Sequence, residues 1–291
     1  MCADNGVVAE GVTQTGQEVT AIVAENFTRG AASVCMMAQV AGAELFPVDI
    51  GMASDVPGLT RAEYKIARGT GNMVRGPAMT RTQAEQAILT GIRMVEELAD
   101  KGYDLIATGE MGIGNTTTSS ALASVLLGCD PETVTGRGAG LSTEGLTRKI
   151  QVIRQAVSLN RPDPEDPLDV LAKVGGLDLA ALAGFYIGCG ALGIPVVLDG
   201  LITGAAALAA VRLCPAVGDY LLASHVSAEP AGGRVLEALG LGAAIDAGMC
   251  LGEGCGAAAL FPLLDMAAEG YGRMETFDDM RITQYERYGS G

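Results

Sequence analysis

Three carboxylates in this sequence stand in glycine-bounded turns: Glu110 in Gly109-Glu110-Met111-Gly112, Asp199 in Leu198-Asp199-Gly200, and Glu253 in Gly252-Glu253-Gly254. Neighbours this small give a carboxylate little cover of their own. The surrounding fold can desolvate it and raise its pKa toward the range of a general base. The same residue at a helix start caps the dipole, for up to about 1 kcal/mol. Each turn alone therefore reads equally as catalytic or as capping, and the three together point to a site. His225, the single histidine, reads either as an acid–base group or as hydrogen-bonded scaffold beside Ser224 and Ser227. The sequence holds no Ser/His/Asp arrangement, nucleophile elbow, Walker A sequence or dinucleotide fingerprint.

One of these turns and one further loop have the make-up of anion sites, a tight glycine-rich turn with a Thr cap being the equal alternative for the first. Gly109-Glu110-Met111-Gly112-Ile113-Gly114-Asn115-Thr116-Thr117-Thr118 lies between the apolar run Tyr103-Asp104-Leu105-Ile106-Ala107-Thr108 and a helical segment from Ser119 to Leu127. Glycines there let the backbone approach a ligand, and the following helix start offers free N–H groups to a phosphate. Gly136-Arg137-Gly138-Ala139-Gly140 is a second such loop, and Ser142-Thr143-Glu144 opens a helix running to about Leu159. Lys149 lies in that helix, near enough to the loop to serve an anion, although a plain surface lysine is the simpler reading.

These turns need elements to hold them. The pattern predicts one or two helices over Thr20–Gln39, a short strand in Ala43–Gly51, a long aperiodic loop at 52–80, and an amphipathic helix over Thr82–Lys101. The basic residues Arg61, Lys65, Arg68 and Arg75 of the loop read as a solvated surface or as reaching toward an anion. Asn160-Arg161-Pro162-Asp163-Pro164-Glu165-Asp166-Pro167 reads as a connector. A small-residue helix follows over Leu177–Leu192, then a buried strand in Ile194–Gly200, a helix over Thr203–Leu213 and a strand within Asp219–Pro230. A helical stretch beginning at Leu236–Leu239 and a helix over Ala257–Met266 complete the series. Alternating strands and helices, with Gly, Asp and Glu at strand carboxyl ends, predict an α/β fold with a mostly parallel sheet covered by helices. Asp4-Asn5-Gly6 is turn chemistry of the kind that follows a strand, so either the first strand is missing, which is the expectation preferred, or the segment is a frayed terminus.

The formal net charge of −15 over 291 residues argues against a nucleic-acid partner, which requires a basic surface. Seven cysteines without a CxxC pair read as reduced thiols of a cytosolic protein, and with one histidine they suggest no metal site. Apolar stretches are too short for a membrane span, and no signal peptide is visible.

Taken in order, Gly109–Thr117, Gly136–Leu141, Pro195-Val196-Val197-Leu198-Asp199-Gly200, Ser224-His225-Val226-Ser227-Ala228-Glu229-Pro230 and Leu251-Gly252-Glu253-Gly254-Cys255-Gly256 resemble the nicotinate-nucleotide:dimethylbenzimidazole phosphoribosyltransferase family of cobamide biosynthesis. The resemblance runs from Asp4 to about Phe277. It implies a Rossmann-like sheet, a cytoplasmic homodimer, no metal and no cofactor. The implied substrates are nicotinate mononucleotide and a benzimidazole-type base such as 5,6-dimethylbenzimidazole, giving α-ribazole 5′-phosphate and nicotinate. It implies Glu253 as general base, with Glu110, Gly112, Gly114, Asn115, Gly138, Lys149 and Ser227 around the nucleotide. Thr13, Thr15, Gln17 and Leu251 are implied around the acceptor base.

Two departures from the family stand out. The usual Asp-His-Gly-Val is Asp4-Asn5-Gly6-Val7, and a Ser-Ala-Tyr-Pro-Gln-like base stretch is Thr13-Gln14-Thr15-Gly16-Gln17. The latter loses an aromatic ring, so a roomier, more polar pocket is expected, open to other benzimidazoles, purines or phenolic bases. Residues 1–270 read as the phosphoribosyltransferase domain, without the family's N-terminal helical segment and first strand, and 271–291 as a C-terminal tail. A small helical subdomain is expected to be incomplete at the N-terminus. The competing functional reading is a non-catalytic or partner-dependent nucleotide-binding homologue.

Overall fold

In a computed structural model, described over residues 1–286, five short strands all pair in parallel. Strand β1 (Cys2–Ala3) pairs with β2 (Asp49–Gly51). Strand β3 (Ile106–Ala107) pairs with β4 (Val196–Leu198), and β4 with β5 (Leu221–Ala223). A bridge from Cys2 to Met111, just past β3, joins the two groups in the order β2-β1-β3-β4-β5. The expectation of a missing first strand is thus corrected, because Cys2–Ala3 is a strand. It has few residues of its own, but its backbone is held on both sides: Cys2 N–H donates to Val48, Ala3 N–H to Met111, and Met111 N–H to Met1.

Helices α1 (Glu18–Thr28), α2 (Ser33–Val40) and α3 (Arg81–Asp100) occupy the first third. Then come α4 (Asn115–Leu126), α5 (Thr143–Asn160), α6 (Pro167–Val174) and α7 (Leu177–Leu192), followed by α8 (Leu201–Leu213), α9 (Ala231–Leu239) and α10 (Cys255–Arg273). Helix α9 ends where a helix was expected to begin. Helix α6 starts at the last residue of the segment read as a connector, because Asp166 caps it by accepting the Asp169 N–H while Pro167 occupies the first turn. Ser142 caps α5 as its sequence indicates.

Helix α7 is the packing centre, with Leu177 through Tyr186 buried throughout. Its closest partner is α3. A β-carbon on Gly184 would lie 1.9 Å from the Ile88 carbonyl oxygen, and one on Gly91 2.0 Å from that of Ala181. Only glycine admits this backbone approach. In the loop at 52–80, Lys65 and Arg68 are spent on carboxylates: Lys65 Nζ donates to Asp49 (2.9 Å) and Asp55 (2.7 Å), and Arg68 to Asp55 (2.6 Å). They serve the loop's own folding. Among the described residues no helix is long and apolar enough to cross a membrane.

Candidate active site

The glycine-bounded turns converge at the carboxyl ends of β3 and β4. Gly252, Glu253 and Gly254 all have left-handed backbone, with φ of 84°, 64° and 98°. A β-carbon on Gly109 would lie 2.3 Å from the Glu253 carbonyl oxygen, so the turns carrying Glu110 and Glu253 are in direct contact. The Asp199 carboxylate, at the end of β4, accepts the N–H groups of Gly254 (3.1 Å), Gly256 (2.7 Å) and Ala257 (3.3 Å). Of the two readings of this aspartate, capping therefore holds: Asp199 caps α10 and ties the Glu253 turn to β4.

Glu253 itself is half-buried, and its Oε2 is enclosed with no hydrogen-bond partner. Burial raises its pKa above the ordinary carboxylate value; the Val34 amide at the start of α2 works the other way, and Asp199 adds to the rise. A carboxylate with a raised pKa and an uncommitted oxygen is suited to accept a proton.

His225 is buried, with Nδ1 3.0 Å from Ser224 Oγ. The Ser224 hydroxyl donates its one proton to the Asp199 carbonyl oxygen (3.0 Å). The network thus assigns the proton of that contact to His225 Nδ1. His225 packs against Gly256 and Gly200, so the scaffold reading is the one this geometry supports.

Glu110 is buried and accepts a hydrogen bond from Asn115 Nδ2, whose other contact is Asp178 Oδ2 at 3.2 Å. Burial pushes the Glu110 carboxyl up to about 8 and Asp178 up to about 6, with Asn115 opposing both shifts. Gly112 packs beside Asn5 and Asp178, and Gly114 against Asn5 and Val8, just ahead of α4. These residues form one wall.

Lys149 forms the opposite kind of group, a fully buried ammonium that donates to Thr116 Oγ1 (2.9 Å) and the Gly136 carbonyl (3.1 Å). Burial lowers its pKa to about 8, while Glu229 pulls upward. The surface-lysine reading is excluded by its position. Gly138 N–H donates to Glu229 Oε1 (2.9 Å), and Glu229 Oε2 is enclosed without a partner. Ser227 Oγ accepts the Glu229 N–H at 3.3 Å.

Of the residues implied around the acceptor base, Thr13 donates to the Thr15 carbonyl (2.8 Å), and Gln17 Nε2 to the Asn5 carbonyl (3.0 Å). Gln14 ties the stretch to Ala139 and Gly140. Leu251 is exposed beside the Glu253 turn. Glu110 and Glu253 also reach an apolar cavity of ≈ 390 Å³ lined by Phe27, Phe46, Leu105 and Phe261, and none of Thr13, Thr15, Gln17 or Leu251 lines it.

Asp178 and Glu229 were not singled out from sequence. The available signal for Asp178 was a lone carboxylate in an otherwise apolar, small-residue helix; for Glu229 it was position in the Ser224–Pro230 turn. No group of three or more His, Cys, Asp or Glu side chains able to hold a metal ion occurs among the described residues.

Known proteins are similar to this chain over most of their length. A family model described as phosphoribosyltransferase matches residues 1–282. The nicotinate-nucleotide–dimethylbenzimidazole phosphoribosyltransferase of Ruminiclostridium cellulolyticum is 48% identical over 288 residues, covering 98% of this chain and 81% of that protein. The enzyme of the same name from Acetivibrio thermocellus is 49% identical, covering 98% and 82%. The crystal structure of CobT from Thermus thermophilus superposes with a TM-score of 0.91 at 43% identity, covering 97% of this chain and 85% of that one. The chain belongs to the nicotinate-nucleotide–dimethylbenzimidazole phosphoribosyltransferase family.

Proposed function

We infer that the protein transfers the 5-phosphoribosyl group of nicotinate mononucleotide to 5,6-dimethylbenzimidazole or a related base, releasing nicotinate and forming α-ribazole 5′-phosphate for cobamide assembly. One ring nitrogen of the base attacks C1′ while the C1′–N bond to nicotinate breaks, and that bond's electron pair neutralises the departing pyridinium. Glu253 takes the proton from the other ring nitrogen of the incoming base. Attack on the face opposite the leaving ring inverts C1′ and gives the α-linkage. The leaving group is already activated, so alignment of two rings about C1′ is the main demand on the protein.

The observation that carries this reading is Glu253: a carboxylate with an enclosed, unpartnered oxygen, on a turn held by Asp199. Lys149 and the Gly136–Gly140 loop are assigned to the 5′-phosphate, supported by a buried ammonium beside the left-handed glycines Gly138 and Gly140. Glu110, Gly112, Gly114, Asn115 and Ser227 are assigned to the nucleotide, and Thr13, Thr15, Gln17 and Leu251 to the acceptor. The reading extends to a homodimer working in the cytoplasm, which rests on the family resemblance.

The test is incubation with nicotinate mononucleotide and a panel of benzimidazoles, purines and phenols, with nicotinate release followed by mass. Release by the parent protein, reduced by about 10²- to 10⁴-fold in Glu253→Gln, is the expected result. Equal rates would remove Glu253 from the role of base. Similar turnover across the panel is expected from the polar Thr13–Gln17 stretch, and strict preference for dimethylbenzimidazole would overturn that part.

A further inference from the structure

Asp178 is an expensive residue to keep. It is fully buried in the first turn of α7, among Leu177, Leu179, Ala180 and Ala181, all of them also buried. An isolated carboxylate in such surroundings is strongly disfavoured unless its oxygens are matched. Oδ1 accepts the N–H of Leu179 (3.0 Å), and Oδ2 accepts Asn115 Nδ2 (3.2 Å). The latter contact reaches across the fold, from α7 to the first residue of α4.

Asn115 Nδ2 carries two protons. One goes to Asp178 and the other to Glu110 Oε2. The amide nitrogen is thereby committed, and the carboxyl of Glu110 is held by one of its two oxygens. The other, Oε1, faces the neighbouring turn, where a β-carbon on Gly252 would lie 2.7 Å from it. Gly112 closes the arrangement from the side, its hypothetical β-carbon 3.2 Å from both Asp178 Oδ2 and Asn5 Nδ2.

We propose that Asp178 is a positioning residue for phosphoribosyl transfer: through the Asn115 carboxamide that it shares with Glu110, it fixes the Glu110 carboxyl in the orientation that meets the nucleotide. The proposal rests on the reading of Glu110 as a nucleotide contact. It assigns Asn115 to holding Glu110 by its amide nitrogen, leaving Oδ1 as its remaining polar atom. Loss of Asp178 frees the carboxamide to rotate, and Glu110 turns with it. Misplacement of this kind lowers turnover without breaking the fold.

The groups that face Glu110 are Asp178 on α7, Asp199 after β4, the amino terminus and Cys2 at β1, Cys255 on α10, and Glu253 in the adjoining turn. Asp178 is a like charge among them. Its removal takes away that charge but also releases Asn115, the larger of the two influences and the one that holds the Glu110 carboxyl down, so the pH at which Glu110 titrates rises.

The experiment compares the parent with Asp178→Asn, Glu110→Gln and the double variant. The Glu110 carboxyl is titrated by carbon NMR in glutamate-labelled protein, assigned by its loss in Glu110→Gln, and kcat and KM are measured for nicotinate mononucleotide. Expected are a higher Glu110 midpoint in Asp178→Asn, from loss of the Asn115 hydrogen bond, and a fall in kcat/KM of about 10- to 100-fold. In the Glu110→Gln background, Asp178→Asn should change kcat/KM by less than about twofold, since the two act as one unit. A midpoint that stays or falls, which would mean that Asn115 still holds Glu110 without Asp178, or an equal loss in both backgrounds, would overturn the proposal. Should Asp178→Asn not fold, Asp178→Ser removes the same bridge and is expected to lower kcat/KM in the parent but not in the Glu110→Gln background; equal loss in both would be equally decisive. Failure of the functional reading shows separately, as no nicotinate release from the parent, and the NMR midpoint still reports on the positioning.

Discussion

Gly109 and Glu253 meet backbone to backbone. A β-carbon on Gly109 would fall 2.3 Å from the Glu253 carbonyl oxygen, 2.6 Å from its carbonyl carbon and 2.7 Å from Gly254 N. No flexible side-chain tip is there to yield, so the Glu253 turn itself must shift. Gly109→Ala is expected to cost about 1–3 kcal/mol of stability and about 10²-fold in kcat through displacement of the base. Urea unfolding and nicotinate release on the same preparation check the two together. Wild-type turnover in a folded Gly109→Ala protein would show that the contact does not set the position of Glu253.

Glu253 is held in left-handed backbone, φ 64°, which costs a non-glycine residue about 1–2 kcal/mol. Its carboxyl also has one enclosed oxygen without a partner. Glu253→Gly removes both burdens, so the variant is expected to melt higher than the parent by the equivalent of about 1 kcal/mol while losing nicotinate release. A residue that destabilises its own fold in this way is one retained for chemistry. Thermal unfolding of the two proteins side by side is the measurement, and a lower melting point in Glu253→Gly would contradict the strain.

Much of this site could be read from residue order because strand-end turns carry their ligand chemistry in short segments. Glu110 and Glu253 announce themselves by the glycines on either side, and Ser142 by its capping position. The partners of those residues were harder to see, for a physical reason. Asp178 lies 63 residues beyond Asn115 and Glu229 lies 91 beyond Gly138, so only the packing of α7 on the sheet and the return of the chain after β5 bring them in. Asp199 shows the same limit, since whether it catalyses or caps depends on three N–H groups more than fifty residues downstream. Cys2–Ala3 is too short to carry a periodicity that marks a strand; hydrogen bonds to Val48 and Met111 make it one.

The buried carboxyls predict how stability varies with pH. Glu110 rises from 4.5 to about 8 and Asp178 from 3.8 to about 6 on folding. Both are raised, so the folded chain holds protons that the unfolded chain has already released. Stability from this source is full below about pH 4 and is lost as pH rises toward the folded values, with a slope of at most about 1.4 kcal/mol per pH unit for each group. Glu110→Gln is expected to flatten the fall between about pH 5.5 and about pH 8.5. Urea midpoints at the two pH values, for parent and variant, measure it. An equal fall in both would assign the dependence to other groups.

Lys149 makes the opposite prediction for ligand binding. Burial lowers its pKa from 10.5 to about 8 in the free protein, yet only the ammonium form binds a phosphate as a cation. A phosphate beside Nζ favours that form, so binding above about pH 8 must take up a proton. The affinity for nicotinate mononucleotide is therefore expected to weaken as pH rises from about 7.5 to about 9. Calorimetry in two buffers of different ionisation enthalpy should show the proton entering. Lys149→Met removes the charge-assisted contact, worth about 1.5–3 kcal/mol, and with it both the proton uptake and its share of the pH dependence. In that variant the Glu229 carboxylate keeps its bond to the Gly138 N–H while the Gly136 carbonyl loses its donor, so the phosphate loses its cation with one anchor of the loop retained. Unchanged affinity in Lys149→Met would move the 5′-phosphate away from this loop.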